Sequence, residues 1–146
     1  MLQRFNWLIE DVLAGCDYPG PEDLDELRSH GIKVVVSLTP RHDIGDLRQA
    51  GFEWHEILVE DCSDPSTEQM RAFCELVDEC REQGKPVAVH CMAGIGRTGA
   101  MLAGYLVWLG SGSEMALAQA RAIEPLYVET RLQELALQRF EQELRG

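Results

Sequence analysis

A cysteine and an arginine stand six positions apart in "HCMAGIGRTG", with Met92, Ala93, Gly94, Ile95 and Gly96 between Cys91 and Arg97. The run before them, "KPVAV", has the apolar character of a buried strand, and "RTGAMLAGYLVWL" after them reads as an apolar helix. A strand end, a glycine-containing loop and a helix start gather backbone N–H groups at the positive end of a helix dipole, which is a seat for an anion. Arg97 at the helix start adds a planar fork for two phosphate oxygens. Cys91 would face that anion with sulfur, and the same positive potential favours the thiolate, the form that attacks phosphorus. Thr98 can donate its hydroxyl to the sulfur, stabilising it as nucleophile and as leaving group; its simpler role is to satisfy backbone at the helix N-terminus. His90 is read as a hydrogen-bonding residue that fixes the loop, not as a general base.

Gly94, Gly96 and Gly99 of the same stretch also spell G-x-G-x-x-G, the fingerprint of a dinucleotide site. That reading needs a further strand carrying an acidic residue about 20 positions on. Glu114 has the separation but falls in helical sequence, and no strand-like segment follows it. No lysine follows the glycines, so a nucleoside-triphosphate P-loop is excluded as well.

The elements that must carry the loop are legible from periodicity and turn residues. "NWLI" and "VLAG" flank Glu10 and Asp11 as a hairpin or bent strand pair. "EDLDELRSH" reads as a helix stopped at Gly31, and "IKVVVSL" as a strand buried on both faces. "DIGDLRQAG" reads as a short helix and "FEWHEILV" as another strand. The loop "EDCSDPS" leads into a helix with Ser66 and Gln69 in capping-box positions. Within it Met70, Phe73, Cys74, Val77 and Cys80 share one face, which makes Cys74 and Cys80 core residues. After residue 97 every segment reads helical: "RTGAMLAGYLVWL", "SEMALAQARAIE" and "TRLQELALQRFEQELR". The pattern predicts an α/β fold with its strands in the first two-thirds and a helical C-terminal third.

Composition bounds the partners. At 146 residues and 45% hydrophobic, the chain suits a single domain over residues 1–146 with one core. A net charge of -12, with no cluster of Lys or Arg, argues against nucleic acid and anionic membranes. The longest apolar stretch, "AMLAGYLVWLG", falls short of the ~20 residues of a membrane span, so a soluble, cytoplasmic monomer is expected. Five cysteines (Cys16, Cys62, Cys74, Cys80 and Cys91) without a C-x-x-C pair fit neither a disulfide framework nor a zinc site.

"HCMAGIGRTG" resembles the H-C-x-x-G-x-x-R-[ST]-G signature of the cysteine-dependent protein tyrosine phosphatase superfamily. The similarity extends through "FNWLIEDVLAGCDYPG", "VVVSL", the acidic loop and the "VET" ahead of the last helix, and resembles the small atypical dual-specificity phosphatases, the VHZ-like group. The resemblance implies a central, mostly parallel twisted sheet with helices on both faces, a cysteinyl-phosphate intermediate at Cys91, and no metal or other cofactor.

Such chemistry needs an acid for the departing oxygen. Glu60, Asp61 and Asp64 share the loop after "FEWHEILV"; Asp64, before Pro65 and Ser66, more simply serves the turn and helix entry. Asp61, 30 residues before Cys91, resembles the family's general acid. Glu129 and Gln133 in "VETRLQE" resemble its water-positioning segment, and otherwise read as polar residues of a helix start. The implied substrate is a phosphorylated protein or peptide, with phosphotyrosine first and phosphoserine or phosphothreonine beside it, in a shallow site lined by "TPRHDIG" through Arg41 and His42. Two alternatives stand beside it: a phosphoprotein-binding module without turnover, and a phosphatase of RNA 5′ ends or phosphoinositides. Family members of the first kind lack the Cys or the Arg. The absence of lysine at Met92, Ala93 and Ile95 weakens the lipid reading.

Overall fold

The computed structural model describes residues 1–41 and 44–146. The expectation placed on His42 lies outside the described residues.

Five strands form one sheet in the order β1-β2-β5-β3-β4: β1 Phe5–Ile9, β2 Leu13–Cys16, β3 Val34–Ser37, β4 Glu53–Glu56 and β5 Val87–His90. Only the β1–β2 hairpin is antiparallel, and the pairs β2–β5, β5–β3 and β3–β4 are parallel. The mostly parallel sheet that the resemblance implies is therefore present, with β5, last in the chain, inserted at its centre.

The full burial of β2, β3 and β5 follows from helices on both faces of the sheet. Helices α3 Thr67–Glu82, α4 Gly96–Trp108, α5 Ser113–Ile123 and α6 Arg131–Arg145 lie on one side; α1 Leu24–Ser29 and α2 Ile44–Gln49 lie on the other. Alternation along each strand splits the residues between two cores. Val34, Val36, Val87 and Val89 join Phe73, Met101 and Phe140 on the first face, while Val35 and Ala88 join Leu24, Leu27 and Leu47 on the second. No helix among the described residues is long and apolar enough to cross a membrane.

Two boundaries differ from the sequence reading. "EDLDELRSH" begins as a 3-10 turn, Pro21–Asp23, before α1, because Asp23 turns its carboxylate back to accept from Gly20 N at 2.9 Å. "FEWHEILV" is a regular strand only over Glu53–Glu56; beyond it, Ile57 N donates to Ser37 O and Val59 N to Leu38 O, so the backbone follows β3 irregularly towards the next loop. The Ser66–Gln69 capping box forms as read, with both of its hydrogen bonds at 3.0 Å.

Candidate active site

The register Cys16↔His90↔Ser37 aligns the C-terminal ends of three adjacent parallel strands, and Cys91 is the first residue beyond the central one. In open α/β sheets this edge is where ligands bind. Cys91 is 3% exposed, and Thr98, in the first turn of α4, donates its hydroxyl to Cys91 Sγ at 3.0 Å. Of the two roles open to Thr98 in the sequence, its hydroxyl serves the sulfur.

His90 is wholly buried. Its Nδ1 lies 3.0 Å from the Cys91 carbonyl, which can only accept, so the network assigns the proton to Nδ1 and leaves Nε2 to accept from Ser37 Oγ at 2.6 Å. Trp54 Nε1 donates to the same Ser37 oxygen at 3.0 Å. The ring thus ties the Cys91 carbonyl to β3 and β4. Arg41 corrects the expectation that it lines the substrate site. It is 4% exposed, donates to Pro19 O at 2.6 Å, approaches His90 Nε2 at 3.3 Å and lies over the Tyr18 ring. Its flat cation finds an aromatic face and a carbonyl beneath the loop, while Thr39 and Pro40 of the same segment reach the cleft.

The glycines have structural reasons of their own. Gly94 has φ +76°, and a Cβ on it would stand 2.6 Å from Asp17 N; a Cβ on Gly99 would stand 2.7 Å from Val128 N. The loop is thus pressed onto the end of β2, and the first turn of α4 onto the segment before α6. Among the described residues, no acceptor takes the amide hydrogens of Met92, Ala93, Gly94 or Ile95. Unspent amides over a buried thiol suit an anion.

Arg97 is 6% exposed and connects this loop to the acidic one. Its Nη1 donates to Val59 O at 2.9 Å, and its Nη2 lies 3.3 Å from Asp61 Oδ1. The Asp61 side chain is 80% exposed and also accepts from Cys62 N at 3.0 Å. Asp64 instead forms an ion pair with Arg139 of α6. Asp61 is thus the exposed carboxylate beside Arg97, while Asp64 fastens the acidic loop to a helix.

Glu129 and Gln133 are brought to the same place but differently used. Gln133 is fully buried, accepts from Glu129 N at 2.8 Å and Thr130 N at 3.2 Å, and donates to Ser63 O at 3.2 Å. Its amide is spent on capping α6 and holding the acidic loop. The Glu129 carboxylate lies over Gly96, where a Cβ would come within 2.5 Å of Oε1, and it lines a pocket of about 230 Å³ with Cys91, Arg97 and Asp61. A wider cleft of about 520 Å³ shares Arg97, Asp61 and Met92 with that pocket, and adds Leu38, Leu58 and Val59.

A family model described as "Tc-R-P: Polymorphic toxin system, DSP-PTPase phosphatase" matches residues 15–111. The chain belongs to this DSP-PTPase phosphatase family. Among similar proteins, Dual specificity protein phosphatase CDC14B of Mus musculus is 31% identical over 121 residues, covering 70% of this chain and 24% of that protein. Tyrosine-protein phosphatase CDC14 homolog of Schizosaccharomyces pombe is 34% identical over 86 residues, 58% of this chain and 16% of that protein. The chain spans about a quarter or less of the length of these two relatives. The crystal structure of Tk-PTP in the active form superposes with a TM-score of 0.90 at 26% identity, covering 97% of this chain and 99% of that one.

Burial pushes the thiols of Cys16, Cys74 and Cys80 up, which keeps them protonated and inert, and Cys62 is exposed in the acidic loop. The segment before α6 carries a feature that the sequence does not signal. Val128 adopts φ +66° although it is β-branched and 3% exposed, a conformation worth about 1–3 kcal/mol of strain. Its neighbour Tyr127 is buried too, and burial pushes its hydroxyl up to about 12.

Proposed function

We propose that this chain hydrolyses phosphomonoesters of proteins, with phosphotyrosine as the first substrate class and phosphoserine or phosphothreonine beside it. The observation that carries the reading is the convergence of a buried, Thr98-bonded Cys91 Sγ with Arg97 and Asp61 on one pocket. The phosphate sits on the amides of residues 92–97 and on Arg97, displacing Asp61 from the guanidinium. Cys91 Sγ attacks phosphorus as the ester P–O bond breaks, and Asp61 gives its proton to the departing oxygen. Water then attacks the cysteinyl-phosphate, the P–S bond breaks, the water's proton passes to Asp61, and Thr98 donates to the released thiolate. Glu129, over Gly96, is the better placed of the two water-positioning candidates.

The aryl preference is supported by Leu58, 47% exposed, and Met92, 57% exposed, which give the cleft apolar walls beside the phosphate pocket. Such walls suit a tyrosyl ring more than a short aliphatic side chain. The reading of residues 1–146 as one catalytic domain is supported by the superposition on Tk-PTP, which covers 97% of this chain and 99% of that one; the finer placement beside the VHZ-like enzymes rests on the sequence resemblance. Turnover of phosphotyrosine, phosphoserine and phosphothreonine peptides beside phosphoinositides tests the assignment; hydrolysis of phosphoinositides alone would overturn it.

Two further outcomes follow from the source of charge stabilisation. Arg97 and the loop amides supply what a metal would otherwise give, so chelation with EDTA leaves the rate of aryl phosphate hydrolysis unchanged. Loss of rate restored by a divalent ion would count against the mechanism. Arg97→Lys keeps the charge but loses the fork, and lowers kcat by ~10²–10³-fold, the scale of a lost oxyanion donor. Steady-state kinetics with an unchanged kcat would remove Arg97 from that role.

A further inference from the structure

Arg121 lies on α5, outside the phosphate pocket, and its guanidinium grips a strained piece of backbone. Its Nε donates to Tyr127 O at 2.9 Å and its Nη2 to Val128 O at 2.7 Å, with Glu134 Oε2 3.3 Å from the same Nη2. Val128 is the β-branched residue at φ +66°. The segment it belongs to meets the phosphate loop at three points. Val128 N donates to Ile95 O at 3.2 Å, and the same nitrogen, together with Tyr127 Cβ, leaves no room for a side chain at Gly99 in the first turn of α4, each standing 2.7 Å from where a Cβ would be. The next residue, Glu129, lays its carboxylate over Gly96.

We propose that Arg121 is a positioning residue for the phosphate loop, acting through Val128. This rests on the reading of residues 91–97 as a phosphate-binding loop. By donating to two consecutive carbonyls of buried residues, Arg121 holds Val128 in the left-handed region, and the Val128 N–H in turn fixes Ile95, the residue that precedes α4. Without the guanidinium, both carbonyls lose a charged donor and the valine is drawn towards negative φ, where β-branched residues belong. That rotation turns its N–H away from Ile95 and shifts Glu129 off Gly96. The amides and Arg97 then no longer converge on one tetrahedral anion, and small misplacements of this kind are costly to turnover.

The mechanism makes a specific claim about glycine. At position 128 glycine adopts positive φ without restraint, so it removes the strain that Arg121 holds. The test measures aryl phosphate kcat, inhibition by inorganic vanadate and thermal midpoint for the full chain, Arg121→Ala, Val128→Gly and the double variant, each assayed well below its midpoint. Arg121→Ala is expected to lose ~10-fold or more in both kcat and vanadate affinity while folded. In the Val128→Gly background, removing Arg121 is expected to cost less than ~3-fold, a coupling that a double-mutant cycle isolates. Val128→Asn, which tolerates the left-handed region and keeps a side chain, gives a second background should the glycine variant fail to fold. A lowered midpoint with unchanged kcat, or an equal loss in both backgrounds, would make Arg121 merely structural and overturn the proposal. A parent chain that neither hydrolyses aryl phosphate nor binds vanadate would remove the phosphatase reading itself, and this inference with it.

Discussion

Cys91→Ser lowers turnover of every phosphomonoester by on the order of 10⁶-fold, the scale on which nucleophile deletions act. A serine hydroxyl at neutral pH is almost wholly protonated, and among the described residues no strong base faces position 91: both nitrogens of His90 are engaged, with the Cys91 carbonyl and with Ser37. Thr98 donates to the sulfur rather than accepting from it, so it cannot activate an alcohol. The anion seat is left in place, because the loop amides and Arg97 do not depend on the sulfur. Phosphopeptide binding by the serine variant therefore persists while single-turnover chemistry stops. Calorimetric binding together with a stopped assay checks both halves. Residual turnover within ~10-fold of the parent would place the nucleophile elsewhere.

Asp61→Asn produces a loss that depends on the leaving group. A nitrophenolate departs readily without a proton, a tyrosyl phenolate less so, and a seryl alkoxide scarcely at all. General acid catalysis is typically worth ~10²–10⁴-fold, and that range is expected to separate peptide substrates from activated aryl phosphates in this variant. Because Asp61 also pairs with Arg97, its removal leaves Arg97 with less competition for phosphate, so KM is expected to hold or fall while kcat drops. Asp64→Asn cuts the ion pair to Arg139 and is expected to lower thermal stability without leaving-group dependence. Equal losses on good and poor leaving groups for Asp61→Asn, or the dependence appearing at Asp64, would identify the wrong carboxylate.

The local elements of this chain are written in its sequence. "VVV" and "VAV" are β-branched or small throughout because a central parallel strand buries both faces, and their side chains divide between the two cores as alternation requires. Ser66 and Gln69 mark the start of α3 because a capping box is completed within four residues. Cys91, the loop and Arg97 were legible for the same reason, since a strand end, a short turn and a helix start fix the loop's chemistry within seven residues. What needed the tertiary structure is whatever depends on residues distant in the chain. The insertion of β5 between β2 and β3 brings Ser37 to His90, and no local pattern encodes strand order. Arg41 and Asp64 carried charges that fit a substrate site as well as a structural one; Tyr18 and Arg139, far along the chain, decide their contacts. Gln133 and Glu129 were equivalent candidates until the carbonyl of Ser63 occupied one and Gly96 admitted the other. Val128 shows the limit most clearly. Its sequence favours extended backbone, and it is held at positive φ by a donor on α5 and an acceptor in the phosphate loop, contacts that exist only once the helices have packed.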